Sequence, residues 1–209
     1  MSAKANSKTA IRIDGLKIIS DSYSRRENRW NEIDYSWYYL KHTYDINTCF
    51  TVDFTANIAN KYTARGLYCQ KVPFEQNLLM SCTSGCALIV VVDLRDGSQT
   101  CSLRDGILLD ASAEPRRALY IPRGVAYGFI TLENDTCIKF KADNYCEAEF
   151  EQTYNLLDPQ LAIKVPYPNK ESEGALLSEL LTKGELLMSI QDRSAPWVID
   201  ASGIQQLDC

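Results

Sequence analysis

From Phe50 to Lys141 the chain repeats one pattern: a short run rich in Val, Ile, Tyr and Thr, then a turn. The runs are Phe50–Phe54, Leu78–Ser81, Ala87–Leu94, Ala118–Ile121, Phe129–Leu132 and Cys137–Lys141. Turns at Gly85, Asp96-Gly97, Asp105-Gly106, Gly124 and Glu133-Asn134-Asp135 separate them. β-Branched and aromatic side chains fit a pleated surface, and Gly, Asp and Asn accept the backbone angles that reverse a chain. Many short strands with such turns predict a β-sandwich or barrel. The clearest instance is Leu119–Phe129, which reads as a strand, a Pro-Gly turn and a second strand.

The flanks read differently. Residues 1–9 are polar and are expected to be a disordered tail, with one domain over 10–209. Within it the pattern predicts an N-terminal arm (10–48), the barrel (49–151) and a C-terminal helical region (152–209). In the arm, Asp14-Gly15 reads as a hairpin-type turn among Ile11, Ile13, Leu16, Ile18 and Ile19. The aromatics Trp30, Tyr35, Trp37, Tyr38 and Tyr39 fit either a core or a surface that folds against another chain or a ligand. Leu176, Leu177, Leu180, Leu181, Leu186 and Leu187 recur at helical spacing around Lys183-Gly184, predicting one helix or two short ones on the barrel.

Composition narrows the function. A net charge of -5 and a pI near 5.0 argue against a nucleic-acid binder, which needs a basic face. No run of about 18 apolar residues is present, so no membrane span is expected. Met1–Thr9 lacks the apolar stretch of a secretory signal, which makes a cytoplasmic protein the expectation. The eight cysteines form no C-x-x-C pair, and reduced thiols are expected rather than zinc ligands. No Gly-x-Gly-x-x-Gly or P-loop pattern occurs.

Polar residues inside the β region carry the chemical signal. Side chains alternate along a strand, so if Tyr68 points into the barrel, Gln70 points in with it. A cavity holding Arg65, Tyr68 and Gln70 suits an anionic, hydroxylated ligand, because Arg grips phosphate bidentately while Tyr and Gln match hydroxyls. The same residues are also compatible with an internal hydrogen-bond network. Asp93 and Arg95, at the end of an apolar run, read as a structural pair.

Taken in order, Arg65-Gly-Leu-Tyr-Cys-Gln70, Pro73-Phe-Glu-Gln76, Val91–Thr100, Leu119–Phe129 and Phe140–Tyr145 resemble the dTDP-4-dehydrorhamnose 3,5-epimerase family. The match runs over about residues 50–151, with a later echo in Ser189-Ile-Gln-Asp192-Arg-Ser-Ala-Pro196; the stretch from about 170 to 188 looks like an insertion. The resemblance implies a mainly β, cupin-type jelly-roll barrel with a short C-terminal helical segment, a homodimer, and no metal or organic cofactor. It implies a dTDP-linked 4-keto-6-deoxy sugar as substrate. A base removes the proton beside the C4 ketone, at C3 or C5, and an acid returns one on the other face. The intermediate enolate requires positive charge or hydrogen bonds at its oxygen.

Position by position, the resemblance places Tyr68 where the family has its base histidine, Asp192 where it has the orienting aspartate, and Tyr145 where it has the acid. Arg65 falls on the diphosphate arginine and Gln76 on a nearby polar position; Gln70, Tyr127 and Glu151 are the further residues expected to bind substrate. Tyr127 replaces a second histidine, Leu78 a lysine and Ile89 an acidic residue. A phenol near pKa 10 begins about 3.5 units from an imidazole near 6.5, on the order of 5 kcal/mol of unfavourable ionisation. An adjacent Asp192 carboxylate opposes phenolate formation further. Two readings stand: a nucleotide-sugar epimerase with an altered mechanism, and a non-catalytic member that binds a nucleotide sugar or a partner enzyme.

Overall fold

The computed structural model describes residues 12–20, 35–167, 170–200 and 203–204. The expected tail at residues 1–9 and Trp30 lie outside the described residues. In chain order the strands are β1 (Lys17–Ser20), β2 (Val52–Ile58), β3 (Thr63–Gln70), β4 (Leu78–Ser84), β5 (Cys86–Asp93), β6 (Arg104–Asp110) and β7 (Arg117–Ile121). Then follow β8 (Val125–Thr131), β9 (Thr136–Ala142), β10 (Glu151–Thr153), β11 (Lys164–Tyr167), β12 (Lys170–Leu176), β13 (Leu187–Met188), β14 (Ile199–Asp200) and β15 (Gly203–Ile204). The helices are α1 (Trp37–Tyr44), α2 (Leu177–Thr182) and α3 (Ile190–Ser194). One sheet has the order β1-β7-β4-β9-β2; the other runs β10-β3-β8-β5-β6, with β13 parallel to β3. No helix among the described residues is long and apolar enough to cross a membrane.

Three apolar layers follow from strand alternation. Met80, Ile89, Leu109, Leu119, Ile138 and Phe140 fill the space between the sheets. Leu88, Val90 and Val92, on the other face of β5, pack under Leu156, Leu177 and Leu180 of the C-terminal segment. Both faces of β5 are therefore covered, which is why Ala87–Val92 is continuously apolar instead of alternating. On the outside of the first sheet, Leu40 of α1 meets Ile19, Leu79 and Ala118. At the edge of this core, buried Asp93 accepts hydrogen bonds from Arg95 (2.8 Å), Ser98 (2.8 Å) and Thr100 (2.6 Å), the structural pair expected for Asp93 and Arg95.

Four local expectations are corrected. Asp105-Gly106 is no turn: it lies inside β6, paired with Val91 and Val90, and Gly106 leaves room for the Leu88 side chain. The Asp14-Gly15 turn forms, but no hairpin follows it, because β1 pairs with β7. The leucine-rich segment is helical only over α2; Gly184 turns the chain at φ +72°, and Leu187 then joins β3 as a strand. The stretch before α2, expected to be helical, is the β11–β12 hairpin.

Candidate active site

A cavity of about 840 Å³ opens beside β2 and β3 and is walled by both sheets. Its apolar side carries Phe54, Ala56, Phe129 and Phe140, with Phe54 stacked on Phe140 at 4.5 Å between ring centroids. Its polar side carries Arg65, Tyr68, Gln76, Tyr127, Cys146 and Glu151. The segment Leu187–Ser189 and Gln191 close it from the C-terminal side.

Arg65 and Tyr68 share this wall because β3 is irregular between them. Strict alternation would place positions three apart on opposite faces. The pairing with β8 shifts register between Arg65 and Tyr68, and Gly66 sits at φ +85° in the gap. A Cβ on Gly66 would stand 2.9 Å from the Tyr127 carbonyl oxygen, so the bulge tolerates only glycine. After the bulge, Tyr68 lies opposite Tyr127 on β8 and Thr153 on β10, and Gln70 lies opposite Glu151.

Asp192 is delivered by α3. Ser189 caps this helix: its Oγ accepts from the Asp192 amide at 3.0 Å and donates to Asp192 Oδ2 at 2.7 Å. This Ser-x-x-acid arrangement ties up donors at the start of the helix and aims the carboxylate away from solvent. Asp192 is 1% exposed and stands behind Tyr68 instead of on the cavity wall. The Tyr68 hydroxyl donates to Asp192 Oδ1 at 2.9 Å and accepts from Arg65 Nε at 3.1 Å; Arg65 Nε also lies 3.3 Å from Asp192 Oδ2.

These contacts fix protonation. Burial raises the Tyr68 phenol above its ordinary value; Arg65 pulls it down, and the Asp192 carboxylate pushes it up again. Burial likewise raises Tyr127 strongly, and burial followed by the Glu151 carboxylate raises the Cys146 thiol. At neutral pH Tyr68, Tyr127 and Cys146 keep their protons and line the cavity; Tyr68 gives its one hydroxyl proton to Asp192, and Cys146 directs its own at Glu151. Arg65 supplies a cation on a side chain that is 50% exposed, so its outer nitrogens stay within reach of a ligand. Among the described residues no three His, Cys, Asp or Glu side chains converge as metal ligands.

The remaining expected residues divide. Gln76 lines the cavity and donates to the Asn144 carbonyl at 2.8 Å. Gln70 shares the face of Tyr68 but is buried: its Nε2 donates to Cys146 Sγ at 3.1 Å, and its Oε1 accepts from the Glu147 amide at 3.2 Å. It holds the loop after β9 and does not itself line the cavity. Tyr145 is not brought to the Tyr68–Asp192 pair; it is 68% exposed on that loop, and its neighbour Cys146 faces the cavity instead. Leu78 and Ile89, at positions where the resemblance implied polar residues, belong to the core. Sequence reading missed Cys146, Ser189 and the Phe54–Phe140 stack. Of these, only Ser189 carries a sequence signal, the capping spacing to Asp192.

The model of the dTDP-4-dehydrorhamnose 3,5-epimerase family matches residues 12–199. The chain belongs to this family. The family is one of isomerases, and its barrel is the cupin jelly roll seen here. The dTDP-4-dehydrorhamnose 3,5-epimerase of Escherichia coli is 32% identical over 133 residues, covering 62% of this chain and 69% of that protein. The Mycobacterium tuberculosis enzyme of the same name is 33% identical over 114 residues, so the chain spans about half (54%) of that relative's length. Among solved structures, the dTDP-6-deoxy-D-glucose-3,5-epimerase of Legionella pneumophila, in complex with dTDP-4-keto-L-rhamnose, is similar with a TM-score of 0.73. It is 27% identical, and the likeness covers 95% of this chain and 97% of that one. The Bacillus anthracis dTDP-4-dehydrorhamnose 3,5-epimerase with TDP and pyrophosphate bound is similar with a TM-score of 0.65 at 30% identity, over 78% and 82% of the two chains.

Proposed function

We propose that this protein epimerises a dTDP-linked 4-keto-6-deoxy sugar at C3, C5 or both. The observation that carries the reading is the Arg65–Tyr68–Asp192 cluster, closed by hydrogen bonds on the wall of a cavity large enough for a nucleotide sugar. Arg65 offers its outer guanidinium edge to the diphosphate, a bidentate geometry suited to phosphate oxygens. The stacked Phe54 and Phe140 rings and Ala56 give the ligand an apolar surface on the opposite side. Substrate binding turns the single hydroxyl proton of Tyr68 from Asp192 to the ketone oxygen, where it stabilises developing charge, and Arg65 Nε, 3.3 Å from Asp192 Oδ2, takes its place on the carboxylate. Asp192 positions that phenol and does not touch the substrate, since the Tyr68 ring stands between it and the cavity. Tyr145, which does not line the cavity and is exposed on the loop after β9, is the acid of this reading once that loop turns its ring onto the sugar.

The same reading includes a homodimer acting in the cytoplasm. Support for the dimer lies in β2, a sheet edge with Phe54 40% exposed, and in exposed Trp37 and Tyr38 on α1. Incubation with the keto sugar, followed by NMR of the coupling constants at C3 and C5, tests the function. Inverted centres appear if it holds. An unchanged sugar that nonetheless binds with Arg65-dependent affinity would leave the non-catalytic binder as the correct account.

A further inference from the structure

We propose that Glu151 is the base that removes the substrate proton; this rests on the epimerase reading above and adds to it the one group that reading lacks. The cavity wall holds a cation, Arg65, and three protonated donors, Tyr68, Tyr127 and Cys146. None of these accepts a proton at neutral pH. Asp192 is walled off behind Tyr68. The one histidine of the chain, His42, lies on α1 against the Tyr38 ring, outside the cavity. Among the described residues lining the cavity, Glu151 is the single carboxylate, and a carboxylate is the one remaining side chain there that is basic at neutral pH.

Its placement fits the task. Glu151 opens β10 directly opposite Gln70, and Tyr68 lies opposite Thr153, two residues further along β10. Glu151 and Tyr68 are therefore diagonal neighbours on the same face, about 7–8 Å apart and somewhat closer at Cβ. That spacing admits a reacting carbon at the carboxylate and its adjoining ketone oxygen at the phenol. The carboxylate is held from behind: Cys146 Sγ lies 3.6 Å from Glu151 Oε2 as its donor, and Gln70 Nε2 donates to the same sulfur at 3.1 Å. The raised thiol keeps its proton and so anchors one oxygen, leaving the other for chemistry.

In the step, a Glu151 oxygen takes the proton from the carbon beside the ketone. The C–H electron pair becomes the enolate double bond, and the carbonyl π pair moves onto the ketone oxygen, which accepts a hydrogen bond from Tyr68. Tyr145 then gives its phenolic proton to the other face of that carbon, and the oxygen pair re-forms the carbonyl. Glu151 passes its proton to water and Tyr145 regains one from water, so no net proton is consumed.

The test compares wild type, Glu151→Gln and Glu151→Asp with the dTDP-4-keto-6-deoxy sugar in D2O, following deuterium entry at C3 and C5. Glu151→Gln keeps the side-chain volume and the Cys146 contact. It should lower exchange by about 100-fold or more, the scale of a lost general base. Titration with dTDP should show its affinity unchanged within about twofold, which establishes a folded, ligand-competent variant. Glu151→Asp should recover part of the rate. Exchange in Glu151→Gln within about fivefold of wild type overturns the assignment of the base while leaving the epimerase reading intact. Absence of exchange in wild type itself overturns both.

Discussion

Replacing Tyr68 with Phe removes one hydroxyl and leaves a buried carboxylate short of a donor. Asp192 is 1% exposed and receives Tyr68 at 2.9 Å and Ser189 at 2.7 Å. A hydrogen bond to a charged group contributes about 1.5–3 kcal/mol. Arg65 Nε, already 3.3 Å from Asp192 Oδ2, can move fully onto the carboxylate once the phenol oxygen is gone, which places the loss near the lower end, about 1.5 kcal/mol. In a domain of this size that lowers the melting temperature by about 3–6 °C. The assay is urea unfolding of wild type, Tyr68→Phe, Asp192→Ala and the double variant. With Asp192 absent the hydroxyl has no carboxylate to serve, so the coupling energy should be about 1.5 kcal/mol. Additive losses, with Tyr68→Phe costing less than about 0.5 kcal/mol, would refute the donor geometry on which the site rests.

Other expectations follow from single residues. Burial opposes ionisation of Asp93, but donors from Arg95, Thr100 and Ser98 overcome it and hold its pKa down to about 2. A depressed carboxylate stabilises the fold above its unfolded value near 3.9, by about 2 kcal/mol, and that contribution is lost as the pH falls from about 4 through 2. Urea midpoints across that window should show the loss in wild type and a flatter profile in Asp93→Asn. Gly66→Ala combines φ +85° with a Cβ 2.9 Å from the Tyr127 carbonyl, and calorimetry should show at least about 2 kcal/mol of destabilisation. Arg65→Ala removes the one cation among the described cavity-lining residues and should weaken dTDP binding by about 10- to 100-fold in isothermal titration.

The barrel was legible where local and tertiary forces agree. Leu119–Phe129 became β7, a turn and β8, because apolar runs and a Gly124 turn at φ +74° need no distant partner to be read. Asp105-Gly106 misled because a strong turn dipeptide lost to a full register with β5. Leu187 misled because helical spacing lost to two backbone pairings with β3. At the site, the residue types of Arg65, Tyr68 and Asp192 were visible through the resemblance, but their convergence was not. It depends on a bulge at Gly66 that breaks alternation, and on a capped turn 124 positions away in sequence that brings Asp192 to Tyr68. The Gln70–Cys146–Glu151 chain left no sequence trace, since a cysteine beside an exposed tyrosine reads as an ordinary loop residue.

Deuterium wash-in to the dTDP-4-keto-6-deoxy sugar by the wild-type protein is the most direct measurement of the central claim, because it registers proton transfer even where equilibrium disfavours the inverted sugar. The account predicts deuterium at C3, C5 or both, abolished by heat denaturation of the protein and suppressed by excess dTDP competing at Arg65. A sugar that binds yet keeps both protons indefinitely would contradict it.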